Sequence, residues 1–176
     1  TVVLTAGHCT DGPVSGMRIF TESDVKNGDN NYPFAGPNSV EASEWHYHPL
    51  YVDEQFFLHD VGVVILAEPY DPGVFGTLPT ANQFDTLRPG RQTDFTVVGY
   101  GLQEVYPTQA MFLANNEAVR YVANPWLIQI NNGIIKDFSI ILSNNPVEGG
   151  SCFGDSGGPN FLGDSDLVAA VTSFGL

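Results

Sequence analysis

Apolar residues along the chain fall in short stretches, mostly four to eight long, separated by glycine, proline and Asx residues. This punctuation predicts an all-β protein with many turns and little helix. The predicted strands cover residues 2–5, 17–20, 40–45, 61–66, 95–98, 134–142 and 167–173. Residues 22–38 hold Asn-Gly-Asp-Asn-Asn and two prolines, which predict a long exposed loop. Its acids lack the alternating carboxylate spacing of a dedicated calcium loop. Residues 111–122 contain helix formers and predict at most a short helix, weakened by the Asn115-Asn116 pair. Proline, glycine and aspartate crowd residues 68–79, which places a boundary between two strand-rich units, 1–78 and 79–176.

At 176 residues and 43% hydrophobic content the chain can bury a sizeable core. Six basic against twenty acidic residues give a formal charge of −14, which argues against nucleic acid or an anionic membrane surface as partner. No apolar run reaches the roughly twenty residues that a membrane-spanning helix needs. Only Cys9 and Cys152 are present, 143 positions apart, too few for a disulfide framework or a zinc site. They pair with each other, or remain inert thiols, or each has a partner outside this sequence. No motif calls for a metal or cofactor.

Three segments carry candidate chemistry. Gly154-Asp155-Ser156-Gly157-Gly158-Pro159 surrounds a serine with glycines, whose backbone enters turns closed to other residues and can aim amide hydrogens at one point. A serine hydroxyl is a weak nucleophile at neutral pH and needs an adjacent base, and the intermediate it forms needs donors for its oxyanion. Leu4-Thr5-Ala6-Gly7-His8-Cys9 puts a histidine directly after a strand, and histidine suits general-base work because its ordinary pKa is about 6.5. His59-Asp60-Val61-Gly62-Val63-Val64-Ile65-Leu66 sets a carboxylate at the head of an apolar strand, where it requires a hydrogen-bond donor such as an imidazole N–H. Each segment alone also has a structural explanation: a glycine hairpin, a structural histidine, a strand-capping aspartate.

In the order His, Asp, Ser, spaced 52 and 96 positions apart, the three resemble the trypsin and chymotrypsin family of serine endopeptidases. His48-Pro49-Leu50-Tyr51, Val98-Gly99-Tyr100-Gly101 (the family's Gly-Trp-Gly) and Thr172-Ser173-Phe174-Gly175 (its Ser-Trp-Gly) extend the likeness over nearly the whole chain. The resemblance implies two six-stranded antiparallel Greek-key β-barrels, with His8 and Asp60 on the first and Ser156 on the second. It implies Ser156 as nucleophile, His8 as general base and then acid, and Asp60 as the group that orients the imidazole. The amides of Gly154 and Ser156 would form the oxyanion hole, and Asp155 would pair with a freed N-terminal amine. Gly150, Ser151, Phe153, Ser173, Phe174 and Gly175 would line the substrate site, with Ser173–Gly175 running antiparallel to the peptide. His46, His48 and His59 have structural roles on this reading.

The family's primary pocket has Asp at its base when it selects Lys or Arg, and this sequence has Gly150 there, which implies apolar or aromatic preference. Strands before the His motif and a strand and helix after Gly175 belong to the family pattern and are missing from this sequence, so both barrels are expected to be incomplete. The resemblance also implies that Cys9 and Cys152 are unpaired here and bridged to other cysteines in the intact protein. The expected partners are a protein or peptide substrate and a protein inhibitor, and the expected location is secreted or extracellular, with periplasm or cell surface as other settings. The competing reading is a catalytically inactive homologue that acts as a binding module.

Overall fold

The structure is a computed structural model and describes residues 1–103, 117–131, 133 and 139–175. Its strands are β1 (Val2–Thr5), β2 (Arg18–Phe20), β3 (Ser39–Tyr47), β4 (Gly62–Leu66), β5 (Gly90–Gly99), β6 (Tyr121–Ala123), β7 (Trp126–Ile130), β8 (Ile140–Leu142), β9 (Pro159–Leu162) and β10 (Val168–Val171). Among the described residues the helical segments are three short 3-10 turns, Gly7–Cys9, Gly28–Asn30 and Asp53–Gln55. The predicted helix at 111–122 lies partly outside the described residues, and its described end runs into β6 instead. Of the predicted strand at 134–142, residues 134–138 likewise lie outside them, and 140–142 form β8.

The chain forms two curled antiparallel half-barrels. The first sheet has the order β1-β4-β3-β2, the second β10-β9-β5-β7-β8 with β6 also on β5. The sequence pattern explains both centres. In β4, Gly62, Val64 and Leu66 are buried while Val63 and Ile65 on the other face are half-buried, the period of two that a strand imposes. Val64 and Leu66 meet Ala42 of β3, and Val3, Met17, Ile19, Val40, Trp45 and Tyr70 close around them. In the long β5, Thr93, Phe95 and Val97 point inward, and Phe95 and Leu127 of β7 are fully buried. Each such side chain contributes roughly 1.5–3 kcal/mol by leaving water.

Three contacts fix one half-barrel against the other at the edge where the candidate residues lie. Gly157 of the second packs against the end of β1: an added Cβ would lie 2.2 Å from Thr5 Oγ1 and 3.0 Å from Ala6 N. The Ser173 hydroxyl reaches Asp60. Phe174 meets Phe56 edge-on, with ring centroids 5.3 Å apart. On another side, residues 22–25 pair with 118–120 through an Asp24–Val119 bridge. The 22–38 segment is a loop, as its composition predicts, yet it is anchored from within: Val25 and Asn30 are buried, and Asn30 hydrogen-bonds to Asp24 O and Asn38.

Candidate active site

Where β1 ends, buried Ala6 and the 3-10 turn at Gly7–Cys9 lift His8 off the sheet. Gly7 lets Asp60 come close, since even a Cβ there would sit 3.2 Å from Asp60 Oδ1 and from the Tyr51 ring. His59 takes a left-handed backbone (φ 56°), which turns the chain so that Asp60 enters buried at the head of β4. The carboxylate then receives three donors. The His8 backbone N–H donates to Oδ1 at 2.8 Å, His8 Nδ1 lies 2.8 Å from Oδ2, and the Ser173 hydroxyl also donates to Oδ2.

This arrangement sets both titrations. Burial pushes the Asp60 carboxyl up, but hydrogen bonds from the His8 ring, the Ser173 hydroxyl and the His8 N–H outweigh it and hold the group below its ordinary 3.8. The hydrogen bond to Asp60, seconded by the Cys9 side chain and opposed by burial, raises His8 above its ordinary 6.5. With Nδ1–H donated to the carboxylate, the neutral ring carries its lone pair on Nε2. The ring can therefore accept a proton there and share the resulting charge with Asp60.

The serine loop is held by backbone shape. Gly154 and Gly157 adopt φ of 96° and 77°, a region that penalises any side chain. Asp155 N donates to Cys152 O and Gly158 N to Asp155 O, at 3.1 and 2.9 Å, which closes the turn around Ser156. Gly157 N to Thr172 O and Thr172 N to Gly158 O tie the loop to the segment leading into Ser173. Among the described residues the N–H groups of Gly154 and Ser156 have no acceptor, and the exposed Ser156 hydroxyl makes no hydrogen bond, to His8 included. Ser156 and His8 are thus brought to one edge through the Gly157 contact without being bonded.

Asp155 is not free to the outside. Its carboxylate accepts the N–H of Gly101 and of Cys152, each at 2.8 Å, in a seat left open by the missing side chains of Gly99 and Gly101. Gly150, Ser151 and Cys152 line a cavity of about 650 Å³ that Asn144, Tyr121 and Leu102 also border. A Cβ on Gly150 would meet the Asn144 carboxamide at 2.6 Å, and Asn144 Nδ2 donates to Ser151 O at 2.9 Å. Phe153 is exposed. Beyond β10, residues 173–175 have no backbone partner among the described residues, and Phe174 there packs against Phe56.

Sequence reasoning missed two features here. One is the Ser173 hydroxyl, which completes the Asp60 carboxylate in addition to the substrate-backbone role expected of that residue; the other is Asn144 against Gly150. Neither had a local signal, because each acts on a residue brought near only by folding. His48 and His59 stack on each other (5.0 Å, 11° between planes), with His59 directly before Asp60 in the chain, and His46 contacts Glu44 at 3.0 Å. Cys9 and Cys152 are free thiols and are not joined to each other. Among the described residues no three His, Cys, Asp or Glu side chains gather as a metal site.

Two curled antiparallel half-barrels, with almost no helix among the described residues, make up the trypsin-like fold of serine proteases. The family model described as Trypsin matches residues 1–176, and the chain belongs to that family. A search of curated proteins gave no match.

Proposed function

We propose that the chain carries the machinery of a serine endopeptidase, with Ser156 as nucleophile, His8 as base and then acid, and Asp60 as the group that orients and stabilises the imidazolium. The carrying observation is the Asp60 carboxylate, which fixes the His8 tautomer through Nδ1 and leaves Nε2 to take a proton. The Ser156 oxygen attacks the peptide carbonyl carbon and passes its proton to Nε2. The oxyanion is received by the unpaired N–H groups of Gly154 and Ser156, where one donor typically contributes about 3 kcal/mol to the transition state. Collapse expels the amine with the proton from His8 and leaves an acyl-enzyme. Water attacks that ester with His8 again taking and returning the proton, which regenerates Ser156.

The substrate is a protein or peptide laid as an added strand along residues 173–175, whose free backbone groups suit that mode. Gly150 and the uncharged Asn144 beside it supply no anion for Lys or Arg, and exposed Phe153 favours apolar or aromatic side chains at the cleavage point. A protein inhibitor presenting an extended loop would use the same edge. The units 1–78 and 79–176 each bring part of the site, and the net charge of −14 suits a secreted protein. The unmade Ser156–His8 hydrogen bond favours a second reading, an inactive homologue that binds peptide without cleaving it. One experiment decides between them. The full-length protein is reacted with a fluorophosphonate probe beside Ser156→Ala: labelling lost in the variant supports the peptidase, and equal labelling, or none in either, overturns it.

A further inference from the structure

We infer that Tyr100 is a positioning residue that couples the 22–38 loop of the first half-barrel to the serine loop of the second. The inference rests on the peptidase reading for its kinetic consequence and on geometry alone for the coupling.

Tyr100 lies between the two glycines that seat Asp155. A Cβ on Gly99 would fall 1.8 Å from Asp155 Oδ1, and one on Gly101 would fall 2.6 Å from Asp155 Cγ. The Gly101 N–H also donates to that carboxylate at 2.8 Å. The backbone on either side of Tyr100 is therefore the wall against which Asp155 rests, and Asp155 stands between the two N–H groups assigned to the oxyanion. The Tyr100 side chain carries this wall to a distant anchor: its hydroxyl donates to the Glu22 carbonyl at 2.7 Å, 78 positions away in sequence. Glu22 is itself held. The Arg120 N–H donates to Ser23 O at 2.7 Å and the Val25 N–H to Ala118 O at 3.2 Å, so the start of the loop is strapped to the second half-barrel along its backbone.

The phenol is the chemical reason for tyrosine at this place. Phenylalanine would fill the same space without a donor, and tryptophan, which the family pattern carries here, places its N–H elsewhere on a different ring. Without the strut the Gly99–Gly101 wall loses its outer restraint, and the Gly154 and Ser156 amides lose preorganisation. Preorganised donors act on the transition state, so the loss falls on kcat and not on KM.

The test uses full-length protein with Tyr100→Phe and Tyr100→Trp. In Tyr100→Phe we expect kcat to fall about three- to tenfold, the scale of one neutral hydrogen bond, with KM unchanged. Amide hydrogen exchange is followed in parallel, and residues 152–158 should exchange faster in both variants while β4 stays as in the parent. Unchanged exchange at 152–158 overturns the coupling, as does a rise in KM with kcat intact. A protein that does not react with the fluorophosphonate probe removes the peptidase reading, and the exchange comparison then still decides whether Tyr100 is the strut.

Discussion

The two sides of the site are ordered by opposite means. On the His8–Asp60 side, side chains hold side chains: a buried carboxylate with three donors fixes an imidazole. On the Ser156 side, the working groups have no partners among the described residues, and the loop is set by left-handed glycines and a few turn hydrogen bonds. A base must be tuned electrostatically, so it needs charged and hydrogen-bonded neighbours. On the proposed reading, a nucleophile and its amide donors must stay unoccupied until substrate arrives, so their order has to come from backbone shape.

The largest expected break in this contrast is Asp60→Asn. It removes the charge while keeping the shape, and kcat should fall by about 10⁴-fold, read in steady-state assays of the full-length protein. The parent's kcat/KM should rise with pH through a midpoint above 6.5, because His8 as the proposed base must be neutral to act and its bond to Asp60 holds the proton on. In the variant that midpoint should drop back toward 6.5; an unmoved midpoint would mean that Asp60 does not set the base.

Gly157→Ala tests the other side. It forces a side chain into a φ of 77° and against Thr5 Oγ1, at a cost of roughly 1–3 kcal/mol in denaturant unfolding. Adding Thr5→Ala removes the overlapping oxygen and should restore part, but not all, of that loss, since the backbone strain remains. Full recovery would show that steric overlap alone, and not the turn, explains the glycine.

The smallest expected effect is Ser173→Ala. Asp60 is depressed below 3.8, so its contribution to stability is present above that value and is lost as pH falls through the folded-state pKa. Removing one donor raises the folded-state value toward 3.8, so acid unfolding should begin at higher pH than in the parent. An unshifted acid midpoint would show that the two His8 bonds suffice.

Much of this was legible in the sequence, for identifiable reasons. β1 and β4 are apolar runs beside the two residues they present, so the strands and His8 and Asp60 could be read together. β9 was missed because Pro159 and Asn160 look like loop residues. Proline is tolerated as the first residue of the strand, and Asn160 is buried, bonded to Thr172 Oγ1 at 3.0 Å. β7 was hidden behind Asn124-Pro125, whose turn signal is real: Pro125 O accepts the Phe95 N–H at 2.8 Å and starts the strand. The Ser173–Asp60 and Tyr100–Glu22 bonds have no local pattern at all, because they join positions 113 and 78 residues apart.

That longer separation also bears on when the site can exist. As the chain leaves the ribosome from its first residue onward, the first half-barrel and its His8–Asp60 pair are translated well before the serine. The carboxylate waits with one donor absent until Ser173 is made, 113 residues after Asp60 and 17 after Ser156. The same late segment supplies Thr172, which ties down the serine loop. Completion of the Asp60 carboxylate and of the serine-loop ties is thereby deferred until Thr172 and Ser173 are made, after His8, Asp60 and Ser156 are all in the chain.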